Sequence, residues 1–222
     1  MAVPAYRSSS VTNASASSYT LTKPTGLAVG DFMVIASESN AATGDGTAPT
    51  GWTPQGSIQN PAGTQHFEVW TKLADSTDVA GTSFTVTYSS AVNRALSLYA
   101  ISGASQTAPV NKITSATIAA GTSHAAPSVT PDVAETLIVC CFGAAVANAT
   151  ASSSALTNLA TTQRNAVSET IGSTTGPNAG VASGTKTVTW SASGDGVAFT
   201  LAIAPPPPPF IVEAGMIPMS GA

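Results

Sequence analysis

Apolar and polar residues alternate with a period of two along Ser83 to Ser90, where Phe84, Val86 and Tyr88 fall on one side and Thr85, Thr87 and Ser89 on the other. That period is the signature of a half-buried strand. A second apolar run, ALSLYAIS, follows after the polar residues around Asn93. The whole stretch is echoed by TKTVTWSASGDGVAFTLAIA, Thr185 to Ala204. Thr85 aligns with Thr187, Tyr88 with Trp190, Asn93 with Asp195 and Ile101 with Ile203, all at an offset of 102. Each copy reads as a strand, a polar turn and a second strand, which predicts a hairpin or Greek-key pair.

The repeat extends upstream. LAVGDFMVIASES carries an apolar strand, Phe32 to Ala36, after a turn at Asp31. Its counterpart is VAETLIVCCFGAA, with Glu135 in the place of Asp31 and Leu137 to Val139 in that of Met33 to Ile35, at an offset of 104. HFEVWTKLA sets Phe67, Val69 and Thr71 against Glu68, Trp70 and Lys72, and its weaker partner is Ala166 to Thr174. SYTLTKP alternates and stops at Pro24, as an edge strand does. Asn40 to Asn60 reads as a Gly, Pro and Thr-rich loop, and Ser154 to Gln163 is the one segment compatible with a short helix. The expected fold is all-β: an antiparallel, jelly-roll-like sandwich of two homologous half-modules, about 1–104 and 105–204. The peptide between the halves contains no flexible linker, which favours one fused sandwich over residues 1–204.

After Ala204 the character changes. Five prolines, Pro205 to Pro209, predict a polyproline II rod of about 3.1 Å per residue. The remainder to residue 222 carries Phe210, Ile211, Val212, Met216, Ile217 and Met219 with no apolar partner nearby in sequence. This proline-rich segment, 205–222, is expected to be an extended arm that docks on a neighbouring subunit.

Composition narrows the functional classes. Of 222 residues 43% are hydrophobic, enough for a core, but only 8% are charged, against about 25% in an ordinary soluble domain. Ser, Thr, Asn and Gly supply the polarity, which suits neutral surfaces packed against other subunits. Seven Lys and Arg residues and a net charge of −4 provide no basic patch for nucleic acid. No apolar run reaches a membrane span, and MAVPAYRSSS has neither part of a secretory signal. Neither membrane insertion nor export by that route is expected. The adjacent Cys140 and Cys141 should point to opposite faces of a strand as small buried hydrophobes.

No motif carries catalysis. His66 and His124 sit in no metal-ligating or nucleophile-activating pattern, and neither a GxSxG elbow nor a phosphate loop is present. Glu68 is the best-placed acid on a strand, on a face expected to be solvated, without the second carboxylate a glycosidase needs. Asp75 and Asp78 share a loop, and Asp45 or Asp195 offers at most a loose calcium ligand. The expectation is therefore no enzyme, no cofactor and no metal. Trp52, in the loop TGWTP, is the one contact a glycan could stack on, the alternative being that its ring caps the open end of the sandwich.

The series KPTGLAVGDFMVIA, APTGWTPQGS, VWTKLADSTDVAGTSFTVTYS and ALSLYAISGA resembles a pattern in structural proteins of siphophages of actinobacteria. The most specific parts are Gly30 to Ala36, Pro49 to Thr53 and Trp70 to Ala74; Trp70 stands where that pattern usually has Tyr. The resemblance covers Ser18 to Ala104 and continues weakly to Pro205. It implies a β-sandwich protein of the virion, made in the host cytoplasm: a minor tail or tail fibre protein, or a head decoration protein. Implied partners are other virion proteins, further copies of the chain and a host cell-wall glycan.

Overall fold

A computed structural model describes residues 2–42 and 46–208. The arm residues Phe210, Ile211, Val212, Met216, Ile217 and Met219, and the loop acid Asp45, lie outside the described residues.

The chain is all-β. In the first half run β1 (Ala5–Thr22), β2 (Phe32–Ser39), β3 (Gly46–Thr47), β4 (Thr53–Gln59), β5 (His66–Leu73), the single-turn helix α1 (Ser76–Ala80) and β6 (Ser83–Ser102). In the second run β7 (Val110–Ala126), β8 (Leu137–Ala144), β9 (Ala151–Ser152), β10 (Thr157–Arg164), β11 (Val167–Thr175) and β12 (Lys186–Ile203). Each half forms its own antiparallel six-stranded sheet, in the orders β1-β6-β2-β5-β4 and β7-β12-β8-β11-β10. The short strands β3 and β9 pair with β6 and β12. The two topologies are the same, strand for strand, and among the described residues no strand crosses between halves.

The expected hairpins are absent. Ser83–Ser102 and Lys186–Ile203 are each one continuous long strand that bends without reversing. Its C-terminal part pairs with β2 or β8 in the main sheet. Its N-terminal part continues along β1 or β7 past a register shift, between Ala16 and Ser18 in one half and between Thr189 and Gly194 in the other. The polar residues around Asn93 and Asp195 thus mark a bulged bend, where the strand leaves one layer and covers another. Segments Ser18–Thr22 and Ser83–Tyr88 fold over the outer face of their sheet and close a core of its own.

Register corrects the offset between the repeats. Phe32 pairs with Ile101 and Leu137 with Ile203, so Leu137 is the counterpart of Phe32, 105 positions on. The one-residue slip matters because it exchanges faces. Met33 belongs to the outer core of the first half, whereas Leu137 points between the sheets. The helix expectation also moves. Ser154 to Gln163 is mostly β10, whose Thr161, Thr162 and Gln163 pair with β11. The helical turn forms instead at Ser76–Ala80, where Asp75 accepts from the Thr77 and Asp78 amides and Asp78 reaches back to the Asp75 amide. That is a capping box built from two aspartates. The stretch read as a loop before Asn60 holds the short strand β3 and the edge strand β4.

Three cores result. The two main sheets pack face to face over a central core of Phe32, Val34, Phe67, Val69, Tyr99 and Ile101 against Leu137, Val139, Ile171, Phe199, Leu201 and Ile203. Each half keeps a separate outer core, around Trp70 and Tyr88 in the first and Phe142 and Trp190 in the second. Cys140 and Cys141 are free, buried, and divided between an outer core and the central one. Burial pushes the Cys140 thiol up to about 12, which suppresses the thiolate it would need to react.

Candidate functional site

The two halves meet chemically at both ends of the sandwich. At one end the connection from β6 to β7 is tied to the end of β12: the Ser105 amide donates to the Ala204 carbonyl and the Ala204 amide to that of Pro109, both at 2.8 Å. Gly103 makes the turn possible, with φ of 72° and the Val3 carbonyl pressed where a side chain would begin. From there Pro205–Pro208 run along a groove of about 650 Å³, lined also by Thr107, Ala108, Val133 and Ala179. The described chain therefore leaves the body from a fixed point at the junction.

A second groove, about 750 Å³, lies between β4, β5 and the start of β7, and shares Ala108 and Asn111 with the first. Its counterpart by the internal repeat, the seam of β1 and β10, is bridged by Asn13 Nδ2 donating to Thr162 Oγ1 at 3.1 Å. Lys72 lines the open seam, but its ammonium is held by Asp75 and Asp78 at 3.1 and 2.7 Å. Partial burial works against that charge, and the two carboxylates outweigh it and raise the pKa.

At the opposite end the loops interlock. Asp195, on the bend of β12, accepts from Asn60 Nδ2 at 3.1 Å and from the Ala62 amide at 2.9 Å. Asn165 reaches its counterpart Asn93, and Gln65 donates to the Ala166 carbonyl. Asp195 is thus a fastener between the halves, with both carboxylate oxygens engaged, and not the loop calcium ligand envisaged from sequence. Asp195→Ala is expected to cost about 1–3 kcal/mol of stability, measured as a shift in the urea midpoint.

Just inside this end lies a feature the sequence reading missed. Glu38 on β2 and Glu169 on β11 both point into the central core, 1% and 0% exposed. Glu169 accepts a hydrogen bond from Ser97 through one oxygen. Its other oxygen and both oxygens of Glu38 have no hydrogen-bond partner. Gly143 stands where the repeat would place the counterpart of Glu38, and a side chain there would overlap the Glu38 carboxylate and Phe67. The repeat also explains the layer around the pair. Phe67 corresponds to Glu169 and Ser97 to Phe199 at the same offset of 102. The contact related to Ser97 and Glu169 is therefore the Phe67–Phe199 stack, with centroids 5.8 Å apart. Burial is the main cause that pushes both carboxyls well above the ordinary glutamate value, and for Glu38 the charges of Glu169 and Asp195 add to it.

The residues singled out by sequence do not gather into one place. His66 contacts Ser57 Oγ in the first half. His124 is buried in the second, bonded to the Gly194 carbonyl at 3.0 Å and edge-on to Trp190, and burial lowers its pKa. Glu68 is buried and not solvated, because the covering layer lies over its face of the sheet. Trp52 is 7% exposed and meets Phe84 edge-on, centroids 5.8 Å apart. Its ring closes the outer core of the first half, the capping role that the sequence offered as the alternative to a glycan contact. Among the described residues no group of three or more His, Cys, Asp or Glu is arranged to hold a metal ion. No known family model, curated protein or solved structure matches the chain.

Proposed function

We propose that this chain is a structural subunit of a tailed-phage particle, a minor tail protein that assembles with other virion proteins and with copies of itself. The body is a rigid double sandwich, fastened at both ends, and the segment after Ala204 is its connector. The observation that carries this reading is the path of Pro205–Pro208 along the junction groove. Proline has no amide hydrogen to extend the sheet and holds an extended course, so the described chain ends, at Pro208, on a defined site of the body. Phe210, Ile211, Val212, Met216, Ile217 and Met219 then supply apolar contacts for a neighbour. A surface rich in Ser and Thr and poor in charge, together with the sequence resemblance to siphophage structural proteins, supports the same reading.

The test is incorporation. Particles produced with the full chain and with a chain lacking residues 205–222 are purified and labelled with antibody against the sandwich. Label confined to the tail, and lost on truncation, is the expected result. Label on the head shell would replace the tail assignment with a capsid decoration role. Unchanged labelling after truncation would end the anchoring role, and no label on intact particles would end the virion reading altogether.

A further inference from the structure

The acid pair lies at one end of the central core, and among the described residues no Lys or Arg forms a salt bridge with either carboxyl. Around Glu38, β5 contributes Phe67, β6 contributes Ala95 and Ser97, and β8 contributes Gly143. From β11 comes Glu169, and from the bend of β12 comes Asp195; both act on Glu38 as negative charges. On β8, Cys141 is the further titratable group within reach of Glu169, and its thiol is pushed up, first by burial and then by that carboxylate. Arg94 is on the other face of its sheet, with its guanidinium 3.7 Å from the centroid of Tyr88, and Arg164, on β10 two positions beyond Thr162, the register partner of Glu169, is exposed at the rim. The adjacent Glu68 and His66 also alternate to that other face of β5.

We propose that Glu38 and Glu169 form a proton-dependent clamp between the two halves, closed while the carboxyls are protonated and loosened as they ionise. The geometry gives the mechanism. A neutral Glu38 carboxyl can be buried beside Phe67 and Gly143, and a neutral Glu169 carboxyl keeps its hydrogen bond with Ser97. A carboxylate in that layer needs water or a cation, and the facing sheets admit water only by parting. The pair sits at the Ser39 and Ala144 ends of β2 and β8. Loosening therefore begins there, while the apolar remainder from Phe32 and Leu137 to Val34 and Val139 stays closed.

The sign follows from linkage. Both closed-state values are raised above the ordinary 4.5, so the closed form holds protons that the open form gives up. The contribution of the clamp is complete below pH 4.5 and is lost as pH rises through the pair's own raised values. In that window the ratio of closed to open falls about tenfold per pH unit for each proton released, so up to about a hundredfold for two.

The experiment is amide hydrogen exchange on the full chain between pH 5 and pH 9, with protection corrected for intrinsic exchange. The wild type is compared with Glu38→Gln, Glu169→Gln and the double variant, in which the amides keep the shape and carry no titrating proton. Protection at Ser37–Ser39 and Phe142–Ala144 should fall with rising pH in the wild type and stay level in the double variant. Fluorescence of Trp52, Trp70 and Trp190, which lie in the outer cores, should not change over the range. Parallel profiles in wild type and variant would overturn the clamp. So would a shift in tryptophan emission at the same midpoint, since the event would then be global unfolding. Carbon-13 spectra of the glutamate carboxyls in the wild type give a readout that does not depend on variant folding. Two carboxyls that stay protonated as pH rises above the ordinary glutamate value of 4.5 are expected, and ionisation of both at that ordinary value would refute the proposal.

Discussion

Phe199→Ala is expected to remove about 3–5 kcal/mol of stability, the usual cost of truncating a buried phenylalanine. Phe199 lies in the interface between the sheets, stacked on Phe67 with planes 23° apart. The backbone of Gly56, from the edge strand of the first half, is packed against the same ring. Neither half can refill the space alone, because its walls, Phe67 and Gly56 on one side and the neighbours of Phe199 on the other, belong to opposite sheets. The hole would also open beside the layer that contains Glu169, so the variant should become more sensitive to alkaline pH than the wild type. Equilibrium urea unfolding, followed by tryptophan fluorescence at pH 5 and pH 8, measures both effects. A loss below about 0.5 kcal/mol, the range of a surface substitution, would mean that the halves do not meet through this ring.

The second large effect is expected at Arg94, which is fully buried in a chain with few charges. Its guanidinium lies over the Tyr88 ring, and it donates to the Ser90 carbonyl at 2.8 Å and to that of Ala16 at 3.4 Å. It therefore fixes the bulge by which β6 passes from the main sheet into the covering layer. Arg94→Ala deletes a desolvated cation–π contact of about 2 kcal/mol and removes hydrogen bonds to two part-buried carbonyls at about 0.5–1.5 kcal/mol each. The expected loss is upward of about 3 kcal/mol, concentrated in the first half. Arg94→Lys should recover only part of it, since a compact ammonium has no planar face to lay on the Tyr88 ring. Hydrogen exchange locates the damage: amides of Ser83–Tyr88 should lose protection before those of Lys186–Trp190. Equal loss in the two halves would contradict this role.

Much of the architecture can be read from local pattern, because a strand buried on one face must alternate and a duplicated strand must repeat its alternation. Tyr19 and Leu21 are buried and Ser18 and Thr20 exposed, as the period of two requires. The repeat at an offset of 102 matches equivalent positions in β6 and β12, with Tyr88 and Trp190 each filling the outer core of its own half. What misled the sequence reading was polarity inside a strand. Residues around Asn93 looked like a turn, because alternation says that the chain changes its surroundings there and not whether it reverses direction. The continuous pairing of β1 along β6 decides that.

The functional candidates were legible to different degrees. Trp52 looked like a binding residue because its neighbours Pro49, Gly51 and Pro54 are loop formers. Whether a loop side chain turns inward depends on Phe84, more than thirty positions away. Glu38 gave no signal, since Ser37, Glu38 and Ser39 after an apolar run read as the polar end of a strand. Only the second sheet, arriving with Gly143 and Glu169, turns that polar end into a buried acid.

The sequence by itself therefore determined the all-β class, the duplication, the alternating faces and the free, inert cysteines, all of which follow from interactions between residues near in the chain or equivalent in the repeat. Tertiary structure alone decided which faces are covered twice, and so where Glu38, Glu169, Arg94 and Trp52 reside. Burial of a charge or a ring depends on surfaces brought from the other layer, and local pattern holds no information about what will lie across from it.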